Sequence, residues 1–456
     1  MEQEFIEREI ARFKASQRRL DMLCGERYFR GDHDILRKRR TAIGEDGSVV
    51  VLGNLPNARI VDNQYRKMVT QKANYLVGKP LTFQGDNPAY LDALKGLFHR
   101  RFQRQLLRLA KGALNQGIAW LHPCYDRDGR FQTRVFSGSE IIPGWRDKAH
   151  TELEYAIRLY QMVAYEGDED RLVERVELFD EAGVHYFRLD GGALTPEPPF
   201  HAPYFTLEDD AGAVAANWAR IPLIPFKRNA EELPLIRCLK SLQDGVNDIL
   251  SNFQNNMDED ARNTILILVN YDGENLGEFR QNLATYGVVK VRTVDGAAGD
   301  LRTLQIEVNA ENYKAILDIF KRAIVENAMG FDARDVRLSG SPNQMNIQSM
   351  YSDIELDANE METEFQAAFE ELMWFVRCHF ANTGVGEFEG ERVSVIFNRD
   401  MLMNESEIID NVLKSGAVLS RETLVAQHPW VDDVTRELDR KRREDGQDCG
   451  PNQNVV

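Results

Sequence analysis

The sequence predicts an α+β protein in which helices and an antiparallel sheet occupy successive stretches of the chain. Three observations carry this prediction. Residues 117–189 contain segments of alternating hydrophobicity separated by turns, as in an antiparallel sheet. Residues 234–331 follow the order helix, short β unit, helix. Residues 344–380 contain neither Gly nor Pro, so they predict one helix of roughly 55 Å, much longer than the mean helix.

The N-terminal 233 residues combine helices with the predicted sheet. Apolar spacing predicts helices over residues 1–23, from Arg59 to Tyr75, and over residues 87–114. Residues 117–136 predict a β-hairpin, and residues 152–189 predict further antiparallel strands. Two stretches that are rich in turn residues, 44–57 and 191–210, indicate loops.

The first long helix begins after Pro234, a residue that suits a first helical position. Its apolar residues are spaced three or four apart and predict one buried stripe, formed by Leu235, Leu239, Leu242, Val246, Ile249, Phe253 and Met257. Its other face is polar and predicts exposure to solvent, with Lys240, Asp244, Asn247, Asp248, Ser251, Asn255 and Asp258. The helix is expected to end near Arg262.

A small β unit and a second helix follow. Strands are predicted at 264–269, 288–292 and 301–306, with a short helix at 276–285. The second helix begins at Ala310 and places Tyr313, Ile316, Leu317, Phe320 and Ile324 on one stripe. Residues 332–343 contain Ser339-Gly340-Ser341-Pro342 and predict a mobile loop. Beyond the 344–380 helix, we expect a strand at 392–397, helical turns between 404 and 443, and a disordered tail from 444.

Composition narrows the possible functions. The chain has 456 residues and a net charge of −17, which argues against a conventional basic DNA-binding surface but not against a protein that lets DNA pass. Mean hydropathy is −0.44 and no apolar run approaches 18 residues, so no membrane span is predicted. The acidic N-terminus does not resemble a signal peptide. Five cysteines without CxxC spacing indicate reduced thiols in a cytosolic setting rather than a zinc site.

No catalytic or cofactor motif stands out. The sequence lacks GxSxG, HExxH, GxGxxG and a phosphate-binding loop, so no cofactor is predicted. The pairs Asp332 with Asp335 and Asp209 with Asp210 are the best metal candidates, but neither has a matching His or third carboxylate, so no metal site is predicted. The basic run at 37–40 indicates either a nucleic-acid patch or a solvated or subunit-contact face, and its acidic surroundings favour the latter.

Three motifs make the chain resemble portal (head–tail connector) proteins of tailed phages, of the type found in siphophages of Gram-positive hosts. They are YFRGDHDI at 28–35, RIVDN at 59–63 followed by QKANYLVGKP at 71–80, and IPLIPF at 221–226 ahead of a long helix. The order helix, β unit, helix, loop, long helix also resembles the portal core. The resemblance covers roughly residues 20 to 400.

The resemblance implies a portal fold with a wing, a long-helix stem, a small α/β clip and a helical crown, assembled as a ring. The wing would comprise residues 1–233 and 344–402. Stem helices would lie at 234–263 and 310–331. The clip would be 264–309, the tunnel loop 332–343, and the crown with its disordered tail 403–456.

The resemblance also implies three groups of functional residues. The DNA-facing tunnel loop would present Arg334, Arg337, Ser339, Asn343 and Gln344. The stem would turn a polar channel face inwards, formed by Lys240, Asp244, Asn247, Asp248, Ser251 and Asn255. The clip would dock partners through Tyr271, Asp272, Glu274, Arg292 and Asp295. No catalytic residue is implied.

By the same resemblance, the chain would form a homo-oligomeric ring, usually of twelve subunits, at one vertex of the capsid in the virion, after assembly in the host cytoplasm. Its partners would be double-stranded DNA in the channel, the terminase large subunit, a head-completion adaptor, and the major capsid and scaffold proteins. Two other interpretations remain at this stage: another head–tail adaptor or tail-ring protein, and a metal-dependent phage nuclease. Ring size and a DNA cleavage assay distinguish them.

Overall fold

The structure is a computed structural model, and its helices and strands confirm the predicted α+β class. It describes residues 2–44, 47–53, 55–166, 169–209, 212–260, 265–269, 300–304, 310–332, 344–399, 405–426, 428, 430–431 and 434–447. No helix in these ranges is both long and apolar enough to cross a membrane.

The helices are numbered in chain order. They are α1 (Gln3–Ala15), α2 (Gln17–Arg30), α3 (Gln64–Val77), α4 (Pro88–Leu97), α5 (Arg100–Gln116), α6 (Ile236–Asp260), α7 (Ala310–Asn327), α8 (Gln344–Asn382), α9 (Glu405–Lys414), α10 (Arg421–Ala426) and α11 (Val434–Gln447). The long α8 confirms the helix predicted at 344–380.

The strands are numbered in the same way. They are β1 (Thr41–Ile43), β2 (Val49–Val51), β3 (Thr82–Gln84), β4 (Ile118–Tyr125), β5 (Phe131–Ser137), β6 (Ile141–Trp145), β7 (Leu153–Glu166), β8 (Glu169–Asp180), β9 (Gly183–Asp190), β10 (Ala193–Ala202), β11 (Phe205–Asp209), β12 (Gly212–Ala216), β13 (Ile224–Lys227), β14 (Ile265–Val269), β15 (Asp300–Leu304) and β16 (Ser394–Ile396).

The chain folds into two compact units, each made from separate stretches of sequence. The first unit contains Met1–Glu26, Met68–Leu235 and Ala328–Val456. The second contains Arg27–Lys67 and Ile236–Asn327.

In the first unit, the main sheet has five antiparallel strands in the order β10-β9-β8-β7-β6. Helix α1 packs on this sheet, and its Ile6 and Ile10 share one buried cluster with Ile157 and Val176. A second sheet, in the order β13-β4-β5, contributes Trp120 to the same cluster. The antiparallel sheet predicted between residues 117 and 189 is therefore confirmed.

Several predicted boundaries were wrong. The helix expected over 1–23 is two helices that meet at Ser16, and the helix expected over 87–114 breaks between Leu97 and Arg100. The stretch 191–210, expected to be a loop, contains β10 and β11. Its prolines are tolerated because β10 lies at the edge of the sheet and its pairing shifts register between Pro196 and His201. Helix α11 continues to Gln447, four residues into the expected disordered tail.

A buried ion pair joins distant stretches of the first unit. Lys72 Nζ lies 2.6 Å from Asp357 Oδ2, and the two side chains are only 2% and 7% exposed. Lys72 also donates to the carbonyl oxygen of Met329 (3.2 Å), and Arg228 donates to Asp357 (3.4 Å). The pair thus connects α3, the segment after β13 and α8.

The neighbouring Gln71 fixes the chain just after α7. Its Nε2 donates to the carbonyl oxygen of Phe331 (2.7 Å), and its Oε1 accepts from the Phe331 N–H (2.9 Å). The Phe331 ring stacks on Tyr351 at 4.4 Å, in a buried cluster that also contains Tyr75. Residues of the 71–80 motif therefore hold Phe331 against α8.

A second charged cluster surrounds the buried carboxylate of Glu232. It accepts hydrogen bonds from Arg18 and from His150 Nδ1 (2.8 Å), and Lys227 Nζ lies 3.3 Å away. Burial acts to raise the pKa of Glu232, but the three basic partners outweigh burial and lower it. Gly117 passes directly beside this residue, since a Cβ on Gly117 would lie 2.0 Å from the Glu232 carbonyl oxygen.

We predict that Asp357→Ala lowers the free energy of unfolding by about 3 kcal/mol, because it removes the carboxylate that neutralises the buried Lys72. Urea denaturation followed by tryptophan fluorescence measures the change. The matched control is Asp92→Ala, which breaks an exposed pair with Lys95 and should leave stability unchanged. Equal stability of the two variants would show that the buried pair is dispensable.

Candidate functional site

Four polar residues form a stripe along α6 in the second unit. Gln243, Asn247, Ser251 and Asn255 recur every four residues, a spacing that places them on one face of a helix. All four are uncharged, polar and buried, although Asn247, Ser251 and Asn255 belong to the face predicted to meet solvent. The structure therefore gives this face a partner within the chain.

The partner is the extended segment 58–62. Its alternate backbone N–H groups donate to the stripe: Ala58 to Asn255 Oδ1 (2.7 Å), Ile60 to Ser251 Oγ (3.0 Å) and Asp62 to Asn247 Oδ1 (3.1 Å). We call this arrangement of stripe and segment the polar ladder.

The polar ladder works because two different backbone repeats nearly match. Four residues of an α-helix rise about 6.0 Å. Two residues of extended chain span about 6.6 Å. Rungs at 255, 251 and 247 can therefore meet N–H groups at 58, 60 and 62 with little accumulated offset. At the next rung the Tyr65 N–H donates to Gln243 (2.9 Å), and there the segment has already entered α3.

The polar ladder corrects one sequence prediction. The helix expected to begin at Arg59 begins at Gln64 instead. The N–H groups at 58, 60 and 62 are bonded to side chains of α6, and this alternation requires extended backbone. Two of the three motifs quoted above meet here. Residues 59–62 of the RIVDN motif belong to the extended segment, and residues of the 28–35 motif lie beside it.

His33, from the 28–35 motif, closes the polar ladder on one side. Asn247 Oδ1 accepts from the Asp62 N–H and from Gln243 Nε2 (3.1 Å), so Asn247 Nδ2 donates to His33 Nδ1 (2.8 Å). His33 must then carry its proton on Nε2, which donates to the carbonyl oxygen of Tyr28 (3.0 Å). Burial lowers the pKa of His33, which favours this neutral form.

A charged cluster lies at the first turns of α6. Lys240 Nζ contacts Asp34 (2.6 Å) and Asp244 (2.7 Å), and the Tyr28 hydroxyl donates to Asp244 (2.5 Å). Burial acts to lower the pKa of Lys240, but the hydrogen bonds that it donates to Asp244 and Asp34 outweigh burial and raise the pKa. Burial and the hydrogen bond to Asp244 raise the pKa of Tyr28. One turn further along, Lys38 pairs with Asp248 (2.8 Å).

Helix α7 packs on another face of α6. The Phe320 ring lies against Gly245, where a Cβ would approach the ring to 2.4 Å. Further along, Phe253 and Tyr313 have ring centroids 5.1 Å apart, and Asn256 Nδ2 donates to the Tyr313 hydroxyl (2.8 Å). Beyond α6, β14 pairs antiparallel with β15.

The predicted channel face of α6 divides into two groups. Asn247, Ser251 and Asn255 are buried in the polar ladder. Buried side chains cannot line a channel, so these three residues are removed from the predicted channel face. Lys240, Asp244 and Asp248 are half-exposed and take part in ion pairs. One signal in the sequence could have indicated the polar ladder: uncharged polar residues recur every four positions at Gln243, Asn247, Ser251 and Asn255. Such a repeat suits a backbone partner better than open solvent.

The other predicted site residues fall largely outside the described part of the chain. This applies to the clip residues Tyr271, Asp272, Glu274, Arg292 and Asp295, and to the tunnel-loop residues Arg334, Arg337, Ser339 and Asn343. Gln344 begins α8. Asp335 and Asp210, from the weak metal candidates, are also outside it. Within the described ranges, no group of three His, Cys, Asp or Glu residues is arranged to hold a metal ion.

Comparison with known proteins gives one family along almost the whole chain. Residues 7–449 match the family model described as phage portal protein, SPP1 Gp6-like. The portal protein of Bacillus phage SPP1 is 29% identical over 430 residues, which cover 93% of this chain and 83% of that protein. The portal protein of Clostridium phage phiCD119 is 28% identical over 429 residues, which cover 91% of each.

Among solved structures, a chain from the virion of a native gene transfer agent particle matches with a TM-score of 0.41 at 13% identity. The match covers 79% of this chain and 88% of that chain.

We predict that Asn247→Ala lowers the free energy of unfolding by about 2 kcal/mol, because it leaves the Asp62 N–H and the buried His33 Nδ1 without their shared partner. Denaturant titration of wild type and variant measures the loss. Asn252→Ala is the matched control, since Asn252 is an exposed residue of the same helix. Helix propensity favours Ala over Asn, so it cannot cause a loss in either variant. A loss of similar size in both variants would mean that the polar ladder does not set the effect.

Proposed function

The chain belongs to the SPP1 Gp6-like family of phage portal proteins, and we propose that it forms the ring-shaped channel at one capsid vertex through which double-stranded DNA is packaged and later ejected. The family match over residues 7–449 carries this proposal, because it spans both compact units rather than one motif. A portal is a virion component that works as an oligomeric ring.

Portal proteins of this family are structural rather than enzymatic. The chain is therefore not an enzyme, and the family match removes the nuclease interpretation. It also removes the adaptor and tail-ring interpretation, because both relatives are portal proteins that match along most of their length.

We assign the portal regions to the chain as follows. The stem comprises 234–263 and 310–331, and the packing of α7 on α6 through Phe320 and Gly245 supports this pairing. The clip is 264–309, and it contains the β14–β15 pair. The wing combines 1–233 with 344–402, the tunnel loop is 332–343, and the crown begins at 403.

The net negative charge of the chain suits a channel through which DNA slides without being bound. Twelve chains of −17 carry −204 in total, so an acidic wall would repel phosphates and let the duplex slide. On α6, Lys240, Asp244 and Asp248 form the channel face that we retain. This face is not strongly basic, because Lys240 is neutralised by Asp34 and Asp244, and Lys38 by Asp248.

The clip residues Tyr271, Asp272, Glu274, Arg292 and Asp295 would dock the terminase large subunit during packaging and a head-completion adaptor afterwards. The major capsid protein and the scaffold would contact the ring from the head side. These assignments rest on the family relationship and on the predicted regions.

We predict that the purified protein forms rings of about twelve or thirteen subunits with a central hole. Negative-stain electron microscopy shows the hole, and mass photometry gives a mass near twelve or thirteen times 52.2 kDa. Addition of capsid and scaffold proteins is the second arm. A protein that remains a 52.2 kDa monomer in both arms would contradict the proposed function.

We predict that Arg334→Ala with Arg337→Ala lowers the amount of DNA packaged several-fold, because these two side chains would make transient phosphate contacts in an otherwise acidic channel. Nuclease-protected DNA in an in vitro packaging reaction measures the effect. The matched control is Arg127→Ala with Arg130→Ala, two exposed arginines with the same spacing in the β4–β5 turn. Unchanged packaging by the tunnel-loop variant would exclude the role.

A further inference from the structure

The hairpin formed by β1 and β2 in the second unit is unusually exposed. All six strand residues are exposed, and Ile43 and Val49 are 81% and 71% accessible. The register pairs Thr41 with Val51 and Ile43 with Val49, so these four β-branched side chains share one face of the hairpin. We call this the hairpin face. The opposite face carries Ala42 and Val50.

Such a hairpin needs something to cover it. A two-stranded sheet is marginally stable in water, and independent stability requires a third strand or a packed face. Contiguous exposed apolar side chains also mark interaction sites in soluble proteins. Among the described residues nothing covers the hairpin face, which makes it a candidate interface for a second molecule.

The residues before the hairpin argue that the partner is a protein rather than a nucleic acid. Of the basic run at 37–40, Arg37 is paired with Asp32 (2.7 Å) and Lys38 with Asp248 (2.8 Å), while Arg40 donates to the carbonyl oxygen of Pro56 (3.2 Å). The run thus anchors the base of the hairpin within its own unit. The hairpin face itself carries no charge.

A second apolar surface lies on α7. The stripe that packs towards α6 uses Tyr313, Leu317, Phe320 and Ile324, and this corrects the sequence prediction that Ile316 belongs to it. Ile316 is 45% exposed and Ile319 is 64% exposed, beside the exposed Ala315. We call Ala315, Ile316 and Ile319 the outer stripe.

These two surfaces have the arrangement that a ring requires. In a closed ring each subunit presents two different patches, one to each neighbour. In the described part of the second unit, the three most exposed large apolar side chains are Ile43, Val49 and Ile319, which belong to the hairpin face and the outer stripe. A sheet face packed on a helix stripe is an ordinary layer pairing.

We propose that in the portal ring the hairpin face of one subunit packs on the α7 outer stripe of the next subunit. This inference rests on the proposed function, since it presupposes a ring. It assigns strands β1 and β2 to subunit contact, while the basic run before them stays bonded within its own unit.

Paired cysteines test the contact. Val49→Cys with Ile319→Cys, oxidised with copper phenanthroline in the purified ring fraction, should give a ladder of covalent multimers up to the full ring on a non-reducing gel. Each single variant and the wild type, which keep the five native cysteines, are the controls and should give no ladder. A fast-migrating monomer, which indicates a disulfide within one chain, or no ladder from intact rings would overturn the contact and leave the portal function standing.

Charge insertion is the second measurement. Val49→Asp and, separately, Ile319→Asp should each abolish rings in mass photometry, while Val50→Asp on the opposite face of the hairpin should retain them. Circular dichroism melting verifies that all three variants fold. Rings that persist in the folded Val49→Asp and Ile319→Asp variants would overturn the contact. A wild-type protein that forms no ring under any condition would overturn both this inference and the proposed function.

Discussion

The near match in length between four residues of helix and two residues of extended chain is the constraint on which the second unit depends. Because the side-chain oxygens of Asn247, Ser251 and Asn255 accept from the N–H groups at 58, 60 and 62, an uncharged polar helix face is buried against hydrogen-bonded backbone. The same contact orders the segment ahead of α3. Helix α7 packs on another face of α6 through Phe320, so α6 is held on two sides by its own unit.

Each unit joins stretches that lie far apart in the sequence, and the two units use different chemistry to do so. The first unit uses buried ions, with Lys72 against Asp357 and three basic partners around Glu232. Burying ions is costly in desolvation, and each pair demands its own geometry. The second unit leaves its ion pairs half-exposed and buries neutral amides and a hydroxyl instead. Their desolvation costs less, and their spacing can repeat along a helix. Residues of the motifs that mark the family, such as Lys72 and His33, lie at these junctions.

Hydrophobic periodicity predicted the fold where apolar spacing decides it. It identified α6, α7, α8 and the antiparallel sheet, because each buries an apolar face. It could not identify the polar ladder, since a stripe of buried amides resembles a solvent face until its backbone partner is known. It also placed the start of a helix at Arg59, because hydrogen bonds between α6 side chains and backbone N–H groups leave no trace in hydrophobicity. It placed a loop across β10, because an edge strand tolerates prolines that otherwise indicate a loop. The tunnel-loop and clip residues came from family resemblance, and no physical pattern in the sequence singles them out.

The repeating rungs have a consequence for alignment. If segment 58–62 slid by two residues along one turn of α6, most rungs would re-form with the same chemistry, so the repeat by itself leaves the position of the segment degenerate. The degeneracy is broken where the repeat ends: Asn247 also donates to His33, and the Tyr65 N–H meets Gln243 at an interval of three residues instead of two. These two terminal contacts, and not the repeating rungs, therefore fix the position of segment 58–62 along α6.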